Sequence, residues 1–153
     1  GIMRYFPRST PPSRDRVQKL IAKQLSHWET HNFGWWAVEP RAGGRDDCVP
    51  ERGGLIGWNG LQYLPDTQEV EVGYLLSKAY WRQGLTTEAG WASLTYGFET
   101  LGLKTIIAVV HPENIASQRV TEKLGLTYTG EAVYFDMPVY RYVIKADDFQ
   151  KRA

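Results

Sequence analysis

The chain has 153 residues, of which 42% are hydrophobic and 13% aromatic, enough for one well-buried domain rather than two. With 18 Lys and Arg against 17 Asp and Glu, the composition does not favour a basic surface for nucleic acid. The lone cysteine, Cys48, cannot form an internal disulfide. No apolar run approaches the ~20 residues of a membrane span, and the N-terminus lacks the apolar core of a signal peptide. We therefore expect one cytoplasmic domain over residues 1–153.

The first half of the chain predicts a helix followed by three strands. Ser13 can cap a helix whose apolar residues recur at helical spacing, and we expect that helix to pack inward. The apolar positions are Val17, Leu20, Ile21, Leu25 and Trp28. Strand patterns follow at 35–38 and 55–58, and residues 40–53 between them are rich in Gly, Pro and Asp and predict a mobile loop. Pro65 and Asp66 predict a turn into a third strand at 70–76.

The second half predicts two helices and three strands. Two apolar stripes run along a helix from 85 to 101, which Gly102 is well placed to end. The β-branched run at 105–110 indicates a strand buried on both faces, and Asn114 can cap a short helix that ends near Gly125. Strands at 127–135 and 139–144 follow, so the pattern predicts an α/β domain.

The junction of the third strand with the long helix predicts a diphosphate cradle. Gly84 allows positive φ or a close approach of ligand to backbone, and the helix after it presents unpaired N–H groups to an anion. Arg82 adds a fixed positive charge beside them. A glycine between a strand and a helix is also common as a purely structural turn. The residues of this junction do not by themselves decide between the two interpretations.

Three motifs in order resemble the GNAT N-acetyltransferases, in particular the branch of the ribosomal-protein-alanine N-acetyltransferases. They span 69–74 (EVEVGY), 80–89 (YWRQGLTTEA) and 111–125 (HPENIASQRVTEKLG). The resemblance implies a GNAT fold, α/β (α+β) with a mixed, mostly antiparallel sheet flanked by helices, here without an evident first strand before Pro7. It also implies acetyl-coenzyme A as cosubstrate, no metal, and direct attack by a primary amine of a protein N-terminus or a small molecule. We also allow for a homodimer.

The resemblance further implies the residues that contact the cosubstrate. Leu75 and Leu76 would bind it through their backbone groups, Asn114 would hold the pantetheine arm, and Ser117 would lie near the sulfur. The diphosphate would lie on the loop and first helical turn, at Arg82, Gln83, Gly84, Leu85, Thr86 and Thr87. Thr86 departs from the family, which usually has Gly or Ala there; its hydroxyl could donate to a phosphate oxygen or its bulk could narrow the cradle.

Amide formation requires a base for the amine and an acid for the departing thiolate. Glu69 and Glu71 alternate onto the strand face of Gly73, and we prefer Glu71 as base. Competing choices are Glu131, Tyr140 and Tyr142. Ser117 is the candidate acid, three residues after Asn114 on one helix face; the alternative is a capping Asn with an incidental first-turn Ser.

Two other classes of function compete with the transferase. One is a degenerate acyl-coenzyme A binding or sensing domain, which the departure at Thr86 allows. The other is a nucleic-acid-binding module built on Trp28, Trp35, Trp36 and Trp58, which the even charge balance does not favour. We expect acceptor selectivity to reside in the segments 41–52 and 131–138.

Overall fold

Six β-strands and four α-helices follow one another in the part of the chain that a computed structural model describes, residues 12–40 and 54–150. The helices are α1 (Arg14–His31), α2 (Leu85–Thr95), α3 (Ile115–Lys123) and α4 (Ala146–Gln150). The strands are β1 (Trp35–Val38), β2 (Gly57–Leu64), β3 (Glu69–Leu76), β4 (Thr105–Val110), β5 (Thr127–Tyr134) and β6 (Met137–Lys145). A 3-10 turn at Lys78–Tyr80 precedes α2, and a π-helical turn at Tyr96–Thr100 extends it.

The strands form one mixed sheet in the order β1-β2-β3-β4-β6-β5. Neighbouring strands are antiparallel except β3 and β4, which run parallel because α2 carries the chain between them. This arrangement confirms the predicted fold class, a mixed, mostly antiparallel sheet flanked by helices. The predicted loop at 40–53, with Cys48 and the segment 41–52, and the chain start before Pro7 fall outside the described residues apart from Pro40.

One face of the sheet packs against α2 and α3 and forms the core. Leu61, Val72 and Ile106 come from three neighbouring strands, and Leu94 and Leu124 come from the helical layer; all five are buried in one cluster. Because side chains alternate across a strand, Val70 and Val72 enter this core while Glu71, between them, lies on the opposite face. The alternation of β3 therefore decides which of its side chains can reach a ligand.

Most predicted elements are confirmed, but the second strand differs. It runs over Gly57–Leu64 rather than 55–58 and contains two residues that interrupt its apolar pattern. Asn59 is buried there and donates its amide to the carbonyl of Ala89 and to Ser93 Oγ, both at 2.6 Å. A Cβ at Gly60 would lie 2.2 Å from the carbonyl oxygen of Gly34, so glycine is required where β1 crosses closely. Partners distant in sequence thus explain the polar and glycine positions.

The expectation that the apolar stripe of α1 packs inward is confirmed for Trp28 and wrong for the other four residues. Ser13 caps the helix as predicted, accepting a hydrogen bond from the N–H of Arg16. The stripe residues are nevertheless 37 to 60% exposed: Val17, Leu20, Ile21 and Leu25. The helix is held near its C-terminal end instead, where Trp28 Nε1 donates to the carbonyl of Trp35 and its ring lies 5.4 Å from that of Trp36. Periodicity identified the helix, but tertiary contacts determine how much of its stripe is covered.

His27 ties α1 to the sheet in a way that requires a neutral imidazole. Its Nδ1 lies 2.7 Å from the carbonyl oxygen of Phe33, and its Nε2 accepts the N–H of Tyr63 at 3.0 Å. The carbonyl can only accept, so the ring carries its proton on Nδ1. Burial lowers the pKa of His27 from 6.5, and the positive charges of His31 and Lys23 act in the same direction against the bond to Phe33.

We expect the contribution of His27 to stability to fall as the pH drops below about 6.5, because the unfolded chain then gains a proton that the folded His27 resists; Glu71, whose pKa is raised, contributes the opposite trend in wild type and variants alike. The stability from neutral His27 is complete above the unfolded pKa and declines toward the lower folded pKa. Thermal unfolding between pH 5 and 8 measures it. His27→Gln is expected to remove this part of the pH dependence of stability, and His111→Gln is expected to retain it. The same pH dependence of stability in all three proteins would contradict the assignment.

Candidate functional site

The parallel strands β3 and β4 part near the middle of the sheet. Within these fully described strands the ladder pairs Glu71 with Ile107, and both strands continue beyond that point without a further paired position. Ser77, just after β3, donates its N–H to the carbonyl of Ile56 on the β2 side. Since successive residues point their N–H groups to opposite sides, the N–H of Leu76 points toward the gap and that of Leu75 toward β2. The gap therefore offers strand backbone to an extended ligand.

The loop after β3 leads into a helix N-terminus that has no side-chain cap. Gly84 has φ +77 as the N-cap of α2, and a Cβ there would meet nothing within 4 Å. Arg82 is exposed and also has positive φ, at +63. The first N–H groups of α2, from Leu85 to Thr87, have no partner within the helix, so they and the helix dipole can bind an anion. These features together form an open cradle rather than a closed turn.

The N-terminus of α3 lies on the helix side of the same gap. Asn114 caps α3 by accepting the N–H of Ser117 at 3.2 Å, which confirms the predicted cap. Ser117 is half-buried, and its Oγ lies 3.0 Å from the hydroxyl oxygen of Tyr74 on β3. The strand and the helix are therefore joined by a hydroxyl pair beside the point where β3 and β4 part.

Glu71 lies on the sheet face opposite α2 and α3, at the last paired position before the gap. It is half-buried, and burial raises the pKa of its carboxyl from 4.5 to about 8. A carboxyl with that pKa exchanges its proton near neutral pH, which is what a general base requires. Shifted pKa values of this kind concentrate at functional sites.

Glu69, two residues before Glu71 on the same face of β3, is in a different environment. Burial alone would raise its pKa, but hydrogen bonds from Tyr134 and Arg141 keep the pKa below 4.5. The Tyr134 hydroxyl donates to Oε1 at 2.5 Å, and Arg141 Nη2 forms an ion pair with Oε2. Glu69 is thus a fixed anion engaged by β5 and β6, which leaves Glu71 as the carboxyl of the pair able to take up a proton.

The sequence matches a family model along most of its length. Residues 1–127 match the model described as an acetyltransferase (GNAT) domain. The chain belongs to the GNAT acetyltransferase family. As a member it is an acetyl-coenzyme A-dependent N-acetyltransferase, which replaces the alternative of a binding domain without transfer.

Individual relatives and solved structures agree with this membership. The uncharacterized protein YkkB of Bacillus subtilis (strain 168) is 31% identical over 137 residues, covering 84% of this chain and 73% of its own. The spermidine N(1)-acetyltransferase of Escherichia coli (strain K12) is 28% identical over 106 residues, covering 68% and 56%. The structure of spermidine N-acetyltransferase from Vibrio cholerae, in complex with CoA and spermine, has a TM-score of 0.74 and 20% identity and covers 97% of this chain and 85% of that one.

The residues present fit acetyl-coenzyme A. An anion cradle without a Cβ at Gly84 lies at the N-terminus of α2, and the gap beside Leu76 can accept an extended arm carrying amides. Trp81 lies between them and donates Nε1 to the carbonyl of Leu76 at 2.7 Å. Cradle and gap are consecutive along the chain, in the order that a diphosphate joined to a pantetheine arm requires.

The competing bases have other surroundings. Glu131 is exposed on β5, Tyr142 is buried, and the rings of Tyr140 and Tyr142 both contact that of Tyr128. The four tryptophans weighed for nucleic acid are each partly buried, with Trp35 stacked on Trp58 at 3.9 Å. Within the described residues no helix has the length and apolarity to span a membrane, and no group of three or more ligating side chains could hold a metal.

Three contributors to the site were not singled out from the sequence: Tyr74, Tyr134 and Arg141. Tyr74 belongs to the first quoted motif, but its partner Ser117 is 43 residues away and no spacing signals the contact. Arg141 lies 72 residues from Glu69, and Tyr134 lies 65 residues from it. The pairing of β3 with β4, of β4 with β6 and of β6 with β5 brings Tyr134 and Arg141 to Glu69.

Proposed function

We propose that this enzyme acetylates an α-amine, with Glu71 as the general base. The observation that carries the proposal is the position of Glu71 on the open face of β3, where β3 and β4 part. An amine that approaches from this face meets a carboxylate before it meets the thioester. Glu69 stays ionised beside it, with its charge paired to Arg141.

The acidity of Glu71 favours an α-amine over a lysine-like amine. An α-ammonium has a pKa of about 8 and a lysine ammonium about 10.4. The pKa of Glu71 is about 8, so proton transfer from an α-ammonium is nearly balanced, whereas a lysine-like amine costs roughly 3 kcal/mol more. A protein N-terminus or a small molecule with an α-amine is therefore the acceptor that this base suits.

The other site residues hold the cosubstrate. Acetyl-coenzyme A supplies the activated acetyl group as a thioester. Asn114 holds the pantetheine arm, Ser117 lies near the sulfur, and the backbone of Leu76 lines the arm and receives the acetyl carbonyl. The predicted role of the Leu75 backbone does not fit the structure, because its N–H points toward β2. The diphosphate is bound by the loop and the first turn of α2, through Arg82, Gln83, Gly84, Leu85, Thr86 and Thr87. Thr86 is half-buried there, and we propose that its hydroxyl donates to a phosphate oxygen.

A polyamine is the second candidate acceptor. Two similar proteins are named spermidine N-acetyltransferases, and the acceptor face carries two carboxylates, Glu69 and Glu71, that suit a polycation. The single cysteine, Cys48, supports a cytoplasmic setting for either acceptor.

Thiol release from acetyl-coenzyme A against an amine panel distinguishes the acceptors. The panel holds a peptide with a free N-terminal alanine, the same peptide with a blocked N-terminus and one lysine, and spermidine. We expect the first to give a kcat/KM at least tenfold above the others at pH 7 to 8, with acetylation at the N-terminus by mass spectrometry. Preference for spermidine would select the second candidate, and preference for lysine would contradict the role of Glu71 acidity.

A further inference from the structure

The hydroxyl of Tyr74 lies among three oxygen atoms of α3. It is 3.0 Å from Ser117 Oγ, 3.2 Å from the carbonyl oxygen of Ser117 and 3.2 Å from Thr121 Oγ1. Thr121 Oγ1 itself donates to the Ser117 carbonyl at 2.9 Å. A phenol has one proton for these neighbours, so rotation about its C–O bond can direct that proton to the carbonyl or to the Ser117 hydroxyl.

The proposed reaction needs more than Ser117 at the sulfur. A serine hydroxyl that gives up its proton becomes an alkoxide, a far stronger base than the thiolate it has just protonated. A second donor behind the serine removes this difficulty. A tyrosine, with an ordinary pKa of about 10 against about 8.5 for a thiol, is a much better matched source of the proton.

We infer that Tyr74 supplies the proton for the departing thiolate through the hydroxyl of Ser117. The inference rests on the proposed function of this site. Glu71 first takes one proton of the ammonium and passes it to solvent. The neutral amine nitrogen then forms a bond to the acetyl carbon, the C–S bond breaks, and its electron pair stays on sulfur. Ser117 gives its proton to sulfur and takes the proton of Tyr74, while the amine proton passes to Glu71. Solvent returns a proton to the Tyr74 phenolate and removes one from Glu71, so the enzyme is restored.

The surroundings of Tyr74 keep it protonated, although they also make it a weaker acid. Burial raises its pKa above 10.0 against the opposing hydrogen bonds from Ser117 and Thr121, and the negative charge of Glu71 raises it further. Tyr74 therefore keeps its proton throughout the pH range in which an α-amine is acetylated. Its position on β3, three residues after Glu71, places acid and base on the strand that borders the gap.

Tyr74→Phe tests the inference because it removes the hydroxyl and little else. We expect kcat to fall at least tenfold while KM for acetyl-coenzyme A stays within about threefold. Tyr96→Phe is the matched control: Tyr96 donates its hydroxyl to the Asn32 carbonyl at 2.7 Å, away from the gap, and this variant is expected to keep wild-type kcat. A Tyr74→Phe enzyme with kcat within twofold of wild type would overturn the inference.

A second readout requires no turnover. The thiol of bound coenzyme A is titrated by its ultraviolet thiolate absorbance, with desulfo-coenzyme A as blank. Hydrogen bonding from the Tyr74 and Ser117 hydroxyls stabilises the thiolate, so the thiol pKa is expected to be higher in Tyr74→Phe than in wild type, by about one unit. An equal thiol pKa in the two proteins would show that Tyr74 only anchors α3.

If Tyr74→Phe does not fold, 3-fluorotyrosine at position 74 replaces it. This analogue keeps the ring and the hydroxyl but is a stronger acid, so the alkaline decline of kcat is expected to begin at lower pH; an unchanged profile would overturn the inference. Failure of the proposed function is distinguishable: wild type would then release no thiol with any amine of the panel. If wild type is active and the substitutions at position 74 change neither kcat nor the thiol pKa, the inference about Tyr74 is refuted and the proposed function stands.

Discussion

Glu71→Gln is expected to lower kcat/KM for acetyl-coenzyme A about 100-fold at pH 8, the lower end of the usual contribution of a general base. Gln keeps the size of the side chain but cannot accept the amine proton. In wild type, activity should rise with pH through about 8 as Glu71 ionises. The α-amine titrates in the same range, so the logarithm of kcat/KM should rise with a limiting slope of about two in wild type and about one in the variant. Steady-state thiol release from pH 6 to 9, with an alanine-terminated peptide as acceptor, measures both effects.

The same substitution should stabilise the fold at alkaline pH. The folded pKa of Glu71 lies above its ordinary value, so its contribution is fully present below about 4.5 and is lost as the pH rises through about 8. By pH 9 this loss is at most about 5 kcal/mol of unfolding free energy, which Gln does not incur. Denaturant unfolding at pH 5 and pH 9 should show a gain for the variant at pH 9 alone.

Glu69→Gln is the matched control for Glu71→Gln. It removes the neighbouring carboxylate, which is bound by Arg141 and Tyr134, so it should destabilise the fold at neutral pH. Because the pKa of Glu69 is lowered in the fold, its contribution is present above about 4.5 and lost below it. The activity of Glu69→Gln should still rise through pH 8. If Glu69→Gln lost the carboxyl-dependent part of the rise in activity with pH and Glu71→Gln kept it, the base assignment would be reversed.

Gly84→Ala is expected to weaken coenzyme A binding about tenfold or more. Gly84 has φ +77, where a residue with a Cβ costs roughly 1 to 2 kcal/mol. The space around a Cβ at this position is empty, so the cost is conformational and falls on the loop that leads into α2. A loop that relaxes toward negative φ turns its N–H groups away from the diphosphate. Calorimetric titration of coenzyme A into the wild type and the variant measures the change.

Gly102→Ala provides a control with the same backbone strain. Gly102 has φ +68, and a Cβ there would likewise meet nothing within 4 Å, but it lies after the C-terminal end of the α2 helical segment. Both variants should lose similar stability, and only Gly84→Ala should lose affinity. Equal affinity in the two variants would mean that the loop at Gly84 does not hold the diphosphate.

Local signals explain which parts of the fold could be predicted. Ser13, Asn114 and Gly102 lie at helix ends where their conformational preferences act within one turn, and each was identified from the sequence. The β-branched run at 105–110 likewise identified a buried strand. The length of β2 could not be predicted in this way, because Asn59 and Gly60 are accommodated by Ala89 and Gly34, which are distant in sequence.

The candidate site, like the fold, could be predicted only where local signals act. Alternation along β3 placed Glu69 and Glu71 on one face, and Glu71 was preferred as base without an observation that separates the two. What separates them is the ion pair of Glu69 with Arg141, 72 residues away, which the sequence does not signal. Tyr74 was similarly visible as part of a motif, while its contact with Ser117 depends on the packing of α3 against β3. Partners distant in the chain, rather than local preference, determined these roles.

The most direct test of the account is calorimetric titration of acetyl-coenzyme A into the purified protein, with dephospho-coenzyme A for comparison. The cradle at Gly84 and the gap beside Leu76 predict binding with a micromolar dissociation constant, equivalent to about 8 kcal/mol. Absence of binding under conditions where the protein is folded would contradict the central claim that β3, β4 and the N-terminus of α2 form an acetyl-coenzyme A site.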